Sequence, residues 1–366
     1  MSHSLSNGLR TLAAVVGRSS RLAGPRTVAL ILSRTCNSQC LMCWYHSPLR
    51  PPAESETDPV FMDSGLAETL LEQCRSLGVF RVVLGGHGEP TLHPGFDRLL
   101  DRADRLGLEA YVISNGLDID PARAGRWSRR RAHFRFSLHA ADARTWAKIH
   151  PHRGQDDFAA VEKTVGEVAR GRRSKVSILH VIQRANAGRL GDTLDQAARL
   201  GVREVLFMPV RADGPRESVL LRQEDRASLC DELEQCARRA AHLRIRTNLR
   251  ELLETSSFTH DGVPRTPELY SQIPCVIGHL YLEVDIDGTV RPCEGSRIVL
   301  GSAADCADLR ELWRSPEYEV FRRRGRRLPR SSEPIPGCPC GQCTMAPFNL
   351  AVARLLRPGR LRIGHV

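Results

Sequence analysis

The sequence predicts an α/β fold in which a parallel sheet curls into a full or partial barrel, followed by a small cysteine-rich domain. Six short apolar segments alternate with helical ones, this rhythm changes after Pro274, and a second group of cysteines follows. Strands that are separated by helices favour parallel pairing, because the chain crosses back between them. The predicted parts are an N-terminal arm (1–26), a barrel (27–245), a linker (246–274), an auxiliary domain (275–346) and a tail (347–366).

The predicted strands are short runs rich in β-branched and aromatic residues, at 27–33, 80–84, 110–114, 134–138, 176–182 and 205–210. The predicted helices have apolar residues at helical spacing, at 63–78, 94–106, from 121, and at 141–149, 158–169, 192–200 and 224–243. Asp63 is placed to cap the first helix, and Gly78 and Gly107 to end the first two. Beyond the linker, Asp287-Gly288 predicts a hairpin over 280–292, and 309–323 predicts one helix.

Composition excludes several classes of protein. With 366 residues, 41% of them hydrophobic and 26% charged, the chain can bury a substantial core. We find neither an apolar stretch that could span a bilayer nor a secretory signal, so we expect a cytoplasmic protein with no membrane partner. The net charge of +11 comes almost wholly from arginine, in short runs without aromatic residues. Such runs are typical of solvated faces, and we do not expect nucleic acid as a partner.

The first cysteine group follows the first strand directly. Cys36, Cys40 and Cys43 form a C-x3-C-x2-C motif. Three thiolates on one loop can hold three corners of a 4Fe–4S cubane and leave the fourth iron open. A structural zinc ion, with His46 as fourth ligand, is the alternative that spacing leaves open.

Polar and glycine-rich segments follow the next three predicted strands. They are Gly85-Gly86-His87-Gly88-Glu89-Pro90, Ser114-Asn115-Gly116 and Ser137-Leu138-His139. Because parallel strands end at the same mouth of a barrel, these segments are expected to meet there. A zinc finger explains none of them.

In this combination the residues from 27 to 210 resemble the radical S-adenosylmethionine (radical SAM) superfamily. The resemblance implies a partial (β/α)6 TIM-like barrel, a 4Fe–4S cluster on the three cysteines, and S-adenosylmethionine chelating its open iron. It implies hydrogen abstraction from a C–H bond by a 5′-deoxyadenosyl radical, and a flavodoxin- or ferredoxin-type electron donor. The implied S-adenosylmethionine contacts are Met42, where an aromatic residue is usual, Gly86, Gly88, Glu89, Ser114, Asn115, Ser137 and Met208.

The second cysteine group follows the linker. Cys275 and Cys293 form C-x12-G-x4-C, and Cys340 and Cys343 form C-x2-C. Four thiolates suit a fully ligated cluster or a structural zinc ion. Beside the barrel, the pattern resembles the twitch or SPASM extension and implies one auxiliary 4Fe–4S cluster, with Cys338 able to replace Cys340. Cys306 and Cys338 are also candidate hydrogen-atom donors, whereas Cys74, Cys230 and Cys236 are predicted to be core residues.

The leading functional hypothesis is a dehydrogenase or epimerase of a small polar metabolite, an aminocyclitol or a sugar. Aminoglycoside-pathway enzymes of antibiotic biosynthesis are the relatives that the resemblance suggests. Alternating Glu283, Asp285 and Asp287 share a strand face and could attract a cationic substrate. The alternatives are a maturase of a ribosomally made peptide, an RNA-modifying enzyme and a non-enzymatic zinc protein. The short arm before the first strand weighs against a maturase, which usually carries a peptide-binding domain there.

Overall fold

The computed structural model describes residues 13, 15–16, 23–50, 60–211, 214–255, 270–331, 334–340 and 343–356. Their strands form one sheet in the order β10-β9-β8-β1-β2-β3-β4-β5-β6-β7. The strands are β1 Thr27–Ser33, β2 Arg81–Gly86, β3 Glu109–Ser114, β4 Ala132–Ser137, β5 Lys175–Ile182, β6 Glu204–Pro209, β7 Arg246–Thr247, β8 Tyr281–Val284, β9 Thr289–Arg291 and β10 Gly301–Ser302.

Strands β1 to β7 are parallel, and helices connect most of them. The predicted α/β fold with a partial barrel is therefore confirmed. The α-helices are α1 Ser64–Ser76, α2 Phe96–Arg105, α3 Pro121–Trp127, α4 Ala143–Ile149, α5 Gln155–Ala169, α6 Leu190–Arg199, α7 Gln223–His242, α8 Leu249–Thr255, α9 Leu309–Trp313, α10 Pro316–Arg327 and α11 Ala346–Leu356. None of the described helices is long and apolar enough to cross a bilayer.

Local sequence explains why several helices begin where they do. The carboxylates of Asp63, Asp120 and Asp142 accept hydrogen bonds from backbone N–H groups in the first turns of α1, α3 and α4. Gly78 and Gly107 follow α1 and α2 with φ of +74° and +71°, a conformation that glycine adopts without strain. These local residues fix where the helices begin and end, and so allow the chain to return to the sheet.

The auxiliary domain continues the barrel sheet. Strand β8 pairs in parallel with β1, so that Thr27 is the partner of Tyr281 and Ala29 the partner of Glu283. The hairpin of β8 and β9 is antiparallel, as predicted, and Gly288 turns it with φ of +84°. The domain that carries the second cysteine group is therefore joined to β1, the strand that leads into the first cysteine group.

Three segments differ in part from the prediction. The helix expected over 309–323 is two helices, because Ser315 caps α10 and Pro316 cannot continue α9. The expected linker contains β7 and α8, and the tail is helical through Leu356. The rest of those segments, 256–269 and 357–366, and most of the arm lie outside the described residues.

Candidate active site at the barrel mouth

The first cysteine loop leaves the carboxyl end of β1 and turns tightly, with the Cys43 N–H donating to the Cys40 carbonyl at 3.0 Å. Every thiol sulfur has a polar neighbour. The contacts are Asn115 Nδ2 to Cys36 Sγ at 3.8 Å, Ser38 Oγ to Cys40 Sγ at 3.4 Å, and the backbone nitrogens of Tyr45 and His46 to Cys43 Sγ at 3.4 and 3.3 Å. Donors directed at sulfur stabilise thiolates that ligate iron–sulfur clusters. The residues therefore fit such a cluster.

Burial sets the protonation of this loop. It raises the pKa of Cys36 to about 11 and that of Cys40 to about 12. Both thiols are neutral near pH 7, so metal loading must release their protons. His46 directs its backbone nitrogen to Cys43, and its ring Nε2 is buried without a hydrogen-bond partner among the described residues. No three Cys, His, Asp or Glu side chains among the described residues gather closely enough to hold a single metal ion.

The glycine loop after β2 packs directly against the cysteine loop. The Gly88 N–H donates to the Ser33 carbonyl, and the Glu89 N–H donates to the Thr35 carbonyl, each at 2.9 Å. A Cβ atom on Gly88 would lie 1.9 Å from the Thr35 oxygen. Only glycine therefore allows the two loops to approach this closely.

We expect Gly88→Ala to push the cysteine loop away and to lower iron incorporation severalfold, because the clash is with backbone and cannot be relieved by a side-chain rotation. Iron and sulfide content after anaerobic reconstitution measure the effect. Gly191→Ala is the matched control, since a Cβ there meets nothing within 4 Å. Equal iron content in the two variants would contradict the prediction.

Glu89 joins the carboxyl ends of β2 and β3. It is buried, and its Oε1 accepts from Thr91 Oγ1 at 2.7 Å, from the Thr91 N–H at 3.1 Å and from Ser114 Oγ at 2.8 Å. Its Oε2 accepts from the Asn115 N–H at 2.7 Å. Burial raises the pKa of Glu89, and these hydrogen bonds only partly offset that effect. Oε2 accepts one hydrogen bond from the described residues, fewer than Oε1, and can therefore receive a further donor such as an ammonium group.

The other predicted S-adenosylmethionine contacts surround this mouth. Ser137 ends β4 in register with Leu179. Met208 lies near the end of β6 and is 37% exposed. The side chain of Met42 is buried, and Gln183 Nε2 lies 3.6 Å from its sulfur. The structure therefore brings these residues to one end of the sheet, and their roles stay predictions.

Arg216 was not anticipated from the sequence. It lies in the 3-10 segment after β6, is 1% exposed, and donates through Nη1 to the carbonyls of Met42 and Cys43 at 3.3 and 3.4 Å. Its guanidinium also lies 4.1 Å from the ring centre of Trp44. Arg216 thus connects the loop after β6 to the cysteine loop after β1. No motif around Gly214-Pro215 signals this contact.

The auxiliary cysteines form a second buried group. Cys275, Cys293, Cys340 and Cys343 are buried, and Cys338 is hydrogen-bonded to both Cys293 and Cys340. Tyr270 donates its hydroxyl to Cys343 Sγ at 3.0 Å, and Asn349 Nδ2 lies 3.7 Å from Cys275 Sγ. These residues also fit a thiolate cluster. Five thiols are present, whereas a 4Fe–4S cluster has four ligand positions, so the choice between Cys338 and Cys340 as ligand remains a prediction.

Two further cysteines, Cys306 and Cys230, lie outside both cysteine groups, and the role of Cys306 as a hydrogen-atom donor stays a prediction. The Cys306 sulfur is 4.0 Å from the Ala303 carbonyl, and the Ala307 carbonyl accepts from Gln73 on helix α1. Cys306 therefore lies near the outer helical layer and is not brought to the mouth. Cys230 was predicted to be a core residue, which is wrong, because it is exposed on α7 while Cys236 is buried. Six residues along a helix lead to a different face.

Family comparisons agree with both cysteine groups. Residues 30–197 match the model of the radical SAM superfamily, and residues 275–344 match SPASM, an iron–sulfur cluster-binding domain. The chain carries a radical SAM domain followed by a SPASM domain. These domains indicate a 4Fe–4S cluster, S-adenosylmethionine and an auxiliary cluster as the cofactors, as the resemblance implied.

Similar proteins place this pair of domains among named enzymes. Mycofactocin maturase MftC of Mycobacterium ulcerans is 28% identical over 181 residues, which are 49% of this chain and 46% of that protein. The match thus spans about half the length of that relative. PqqA peptide cyclase of Gluconobacter oxydans is 24% identical over 309 residues, 81% of this chain and 79% of the cyclase. Streptococcus suis SuiB, solved with its precursor peptide SuiA, has a TM-score of 0.61 at 15% identity, covering 98% of this chain and 80% of SuiB, and shares the fold.

Proposed function

We propose that this radical SAM protein is a maturase that modifies a ribosomally made peptide. The observation that carries the proposal is the match to PqqA peptide cyclase, which extends over 81% of this chain. The similarity to MftC, which is a mycofactocin maturase, supports a role in maturation. The proposal replaces the small-metabolite dehydrogenase or epimerase as the leading hypothesis.

The bound cofactors would supply a 5′-deoxyadenosyl radical for hydrogen abstraction from a C–H bond. The protein's own residues would hold and shield the reacting groups. Cys36, Cys40 and Cys43 would ligate the first cluster, and Arg216 would keep their loop in place. The exposed rings of Trp44 and Tyr45, 40% and 52% accessible, lie on the same loop and offer contact area for a substrate.

The auxiliary domain contributes charged side chains near the same mouth. Asp285 lies 3.6 Å from both Arg34 and Arg291, and Arg34 directly follows β1. Tyr45 stacks on His87 of the glycine loop at 4.3 Å between ring centres. The cysteine loop therefore contacts both the glycine loop and the β8–β9 hairpin, and the three segments line one side of the mouth. A peptide held against these segments would lie near both cysteine groups.

The test is an anaerobic turnover of the reconstituted protein with S-adenosylmethionine, a strong reductant and short peptides encoded beside its gene. We expect one peptide to stimulate 5′-deoxyadenosine release and to change in mass, and the Cys40→Ala variant to do neither. Aminocyclitols and sugars are tested in parallel. Stimulation by an aminocyclitol with no change in any peptide would overturn the proposal and restore the metabolite hypothesis.

A further inference from the structure

Helix α10 and the turn after it carry a strong positive charge that the proposed chemistry does not use. The segment 316–330 contains six arginines and two glutamates, more than a third of the net charge of +11. Four of these arginines are exposed and make no ion pair or side-chain hydrogen bond among the described residues, namely Arg323, Arg324, Arg327 and Arg330. Like charges three or four residues apart on a helix repel each other. The dipole of α10 favours basic residues in its last turn, but it does not account for Arg323 before that turn.

The opposite face of α10 is packed against the auxiliary cysteines. The Cys275 N–H donates to the Gly325 carbonyl at 3.0 Å. A Cβ atom on Gly325 would lie 2.6 Å from the Cys275 carbonyl oxygen and 3.4 Å from the Cys275 Cβ. Glycine lowers the stability of a helix relative to alanine. The contact between α10 and a predicted cluster ligand thus depends on a residue that is otherwise unfavourable within a helix.

The exposed arginines lie on the far side of the helix from Cys275. Residues two positions apart on an α-helix differ in direction by about 200°. Arg323 and Arg327 therefore point away from the face of Gly325, and both are exposed. A helix with its side chains is about 10–12 Å across. A protein docked on these arginines would lie about one helix diameter from the auxiliary cysteines, which is close enough for direct electron tunnelling.

The helix that carries these arginines is held firmly. Arg322, 1% exposed, donates through Nε to the Gly278 carbonyl at 2.8 Å and through Nη2 to the Trp313 carbonyl at 2.7 Å. Its guanidinium also lies 4.0 Å from the ring centre of Tyr318. Since Gly278 follows Cys275 by three residues, one segment of chain is joined to α10 at two points. The charged face is therefore preorganised, which lowers the entropic cost of docking.

The charge and the position of this face fit an acidic electron-transfer protein. Opposite charges steer two proteins together and set their orientation. Nucleic acid is also an anion, but binding of its bases relies on exposed aromatic rings, and the rings of Trp313, Tyr318 and Phe321 on α9 and α10 are all buried. Contact with a predicted cluster ligand has a use only for a partner that exchanges electrons.

We propose that Arg323, Arg324, Arg327 and Arg330 form the docking surface for an acidic one-electron carrier protein that exchanges electrons with the auxiliary cluster. One electron would pass between the carrier and the SPASM domain beside Cys275, with no bond formed or broken in this chain. This surface would serve the auxiliary cluster whatever the substrate is, so the inference goes beyond the proposed function and does not depend on it.

The test uses the full chain with the Cys40→Ala change, which should retain only the auxiliary cluster, and an acidic bacterial flavodoxin as the probe. The protein is reduced with dithionite and freed of excess reductant, and its oxidation by the flavodoxin is followed by stopped-flow absorbance. In this reaction the cluster loses one electron, and the oxidised flavin takes up that electron and a proton from water. Calorimetry with the cluster-loaded wild type measures the affinity for the same flavodoxin.

We expect the combined change Arg323→Gln, Arg324→Gln and Arg327→Gln to lower both the second-order rate constant and the affinity. The loss should be on the order of tenfold at an ionic strength of about 0.01 M, where the Debye length is about 30 Å. It should shrink at about 0.15 M, where the Debye length is about 8 Å.

The matched control is the combined change Arg129→Gln, Arg172→Gln and Arg199→Gln on the barrel. These arginines are also exposed and unpaired among the described residues, and the change in net charge is identical. The control should alter the rate constant and the affinity by less than about twofold, because charges distant from a docking surface contribute little to steering.

Equal losses in the two triple variants would show that only the net charge matters and would overturn the inference. Unchanged values in the α10 variant would overturn it as well, and so would a loss of affinity without a loss of rate. Weaker binding of transfer RNA or polyglutamate by the α10 variant, with unchanged flavodoxin values, would assign the face to nucleic acid or to an acidic peptide. No peptide substrate is present, so failure of peptide turnover would refute the proposed function alone.

Discussion

Replacing Cys40 by alanine should remove the iron of one cluster, about four atoms per chain, and abolish cleavage of S-adenosylmethionine. Cys40 is one of the three cysteines predicted to ligate the first cluster. Without it only Cys36 and Cys43 remain, and two thiolates hold a cubane poorly. The auxiliary cysteines are carried by a separate part of the chain, so their iron should remain. Iron and sulfide analysis, absorption near 400 nm and 5′-deoxyadenosine release measure the three effects.

Cys230→Ala is the control for this experiment, because it also removes one cysteine but from an exposed position on α7. It should keep all of the iron. Comparing Cys338→Ala with Cys340→Ala extends the test to the auxiliary group, since only the variant that removes a ligand should lose iron there. Full iron content in Cys40→Ala would refute the assignment of the first cluster to this loop.

Replacing Glu283 by glutamine should stabilise the protein, and more so at higher pH. Glu283 is 4% exposed, and Tyr281 donates a hydrogen bond to it at 3.0 Å. Burial, reinforced by the negative charge of Glu294, raises the pKa of Glu283 from 4.5 to about 8. Above pH 4.5 the unfolded chain releases this proton while the folded chain keeps it until about pH 8. The free energy of unfolding therefore falls by about 1.4 kcal/mol per pH unit in that window.

Glutamine resembles the protonated carboxyl and has no proton to release. At pH 7 the variant should be more stable by about 3 kcal/mol, a gain of roughly 4 °C in the thermal midpoint, and the gain should vanish below about pH 4. Asp285→Asn is the contrasting control, because Asp285 lies beside Arg34 and Arg291 and its loss leaves both arginines without this partner. A pH-independent difference between wild type and Glu283→Gln would show that Glu283 is ionised in the folded protein.

Much of the barrel could be predicted because its signals are local. Each strand from β1 to β6 was expected within about two residues of its position, since apolar runs and the caps at Asp63 and Gly78 act over a few residues. The C-x3-C-x2-C motif and the C-x2-C motif are local as well, and together with the glycine-rich segment they carry the family resemblance that implies the cofactors. The break at Pro316 was also a local signal, but it was overlooked within a longer apolar pattern.

The sequence by itself determined the strand and helix rhythm, the two thiol groups and, through the resemblance that these motifs carry, the class of chemistry. Only the tertiary structure decided that β8 pairs with β1, that Arg216 holds the cysteine loop and that Cys306 lies away from the mouth. Each of these depends on residues that are far apart in the chain and are brought together by sheet register and packing. Such contacts leave no periodic or spacing signal in a single sequence, because neither partner is constrained by its own neighbours.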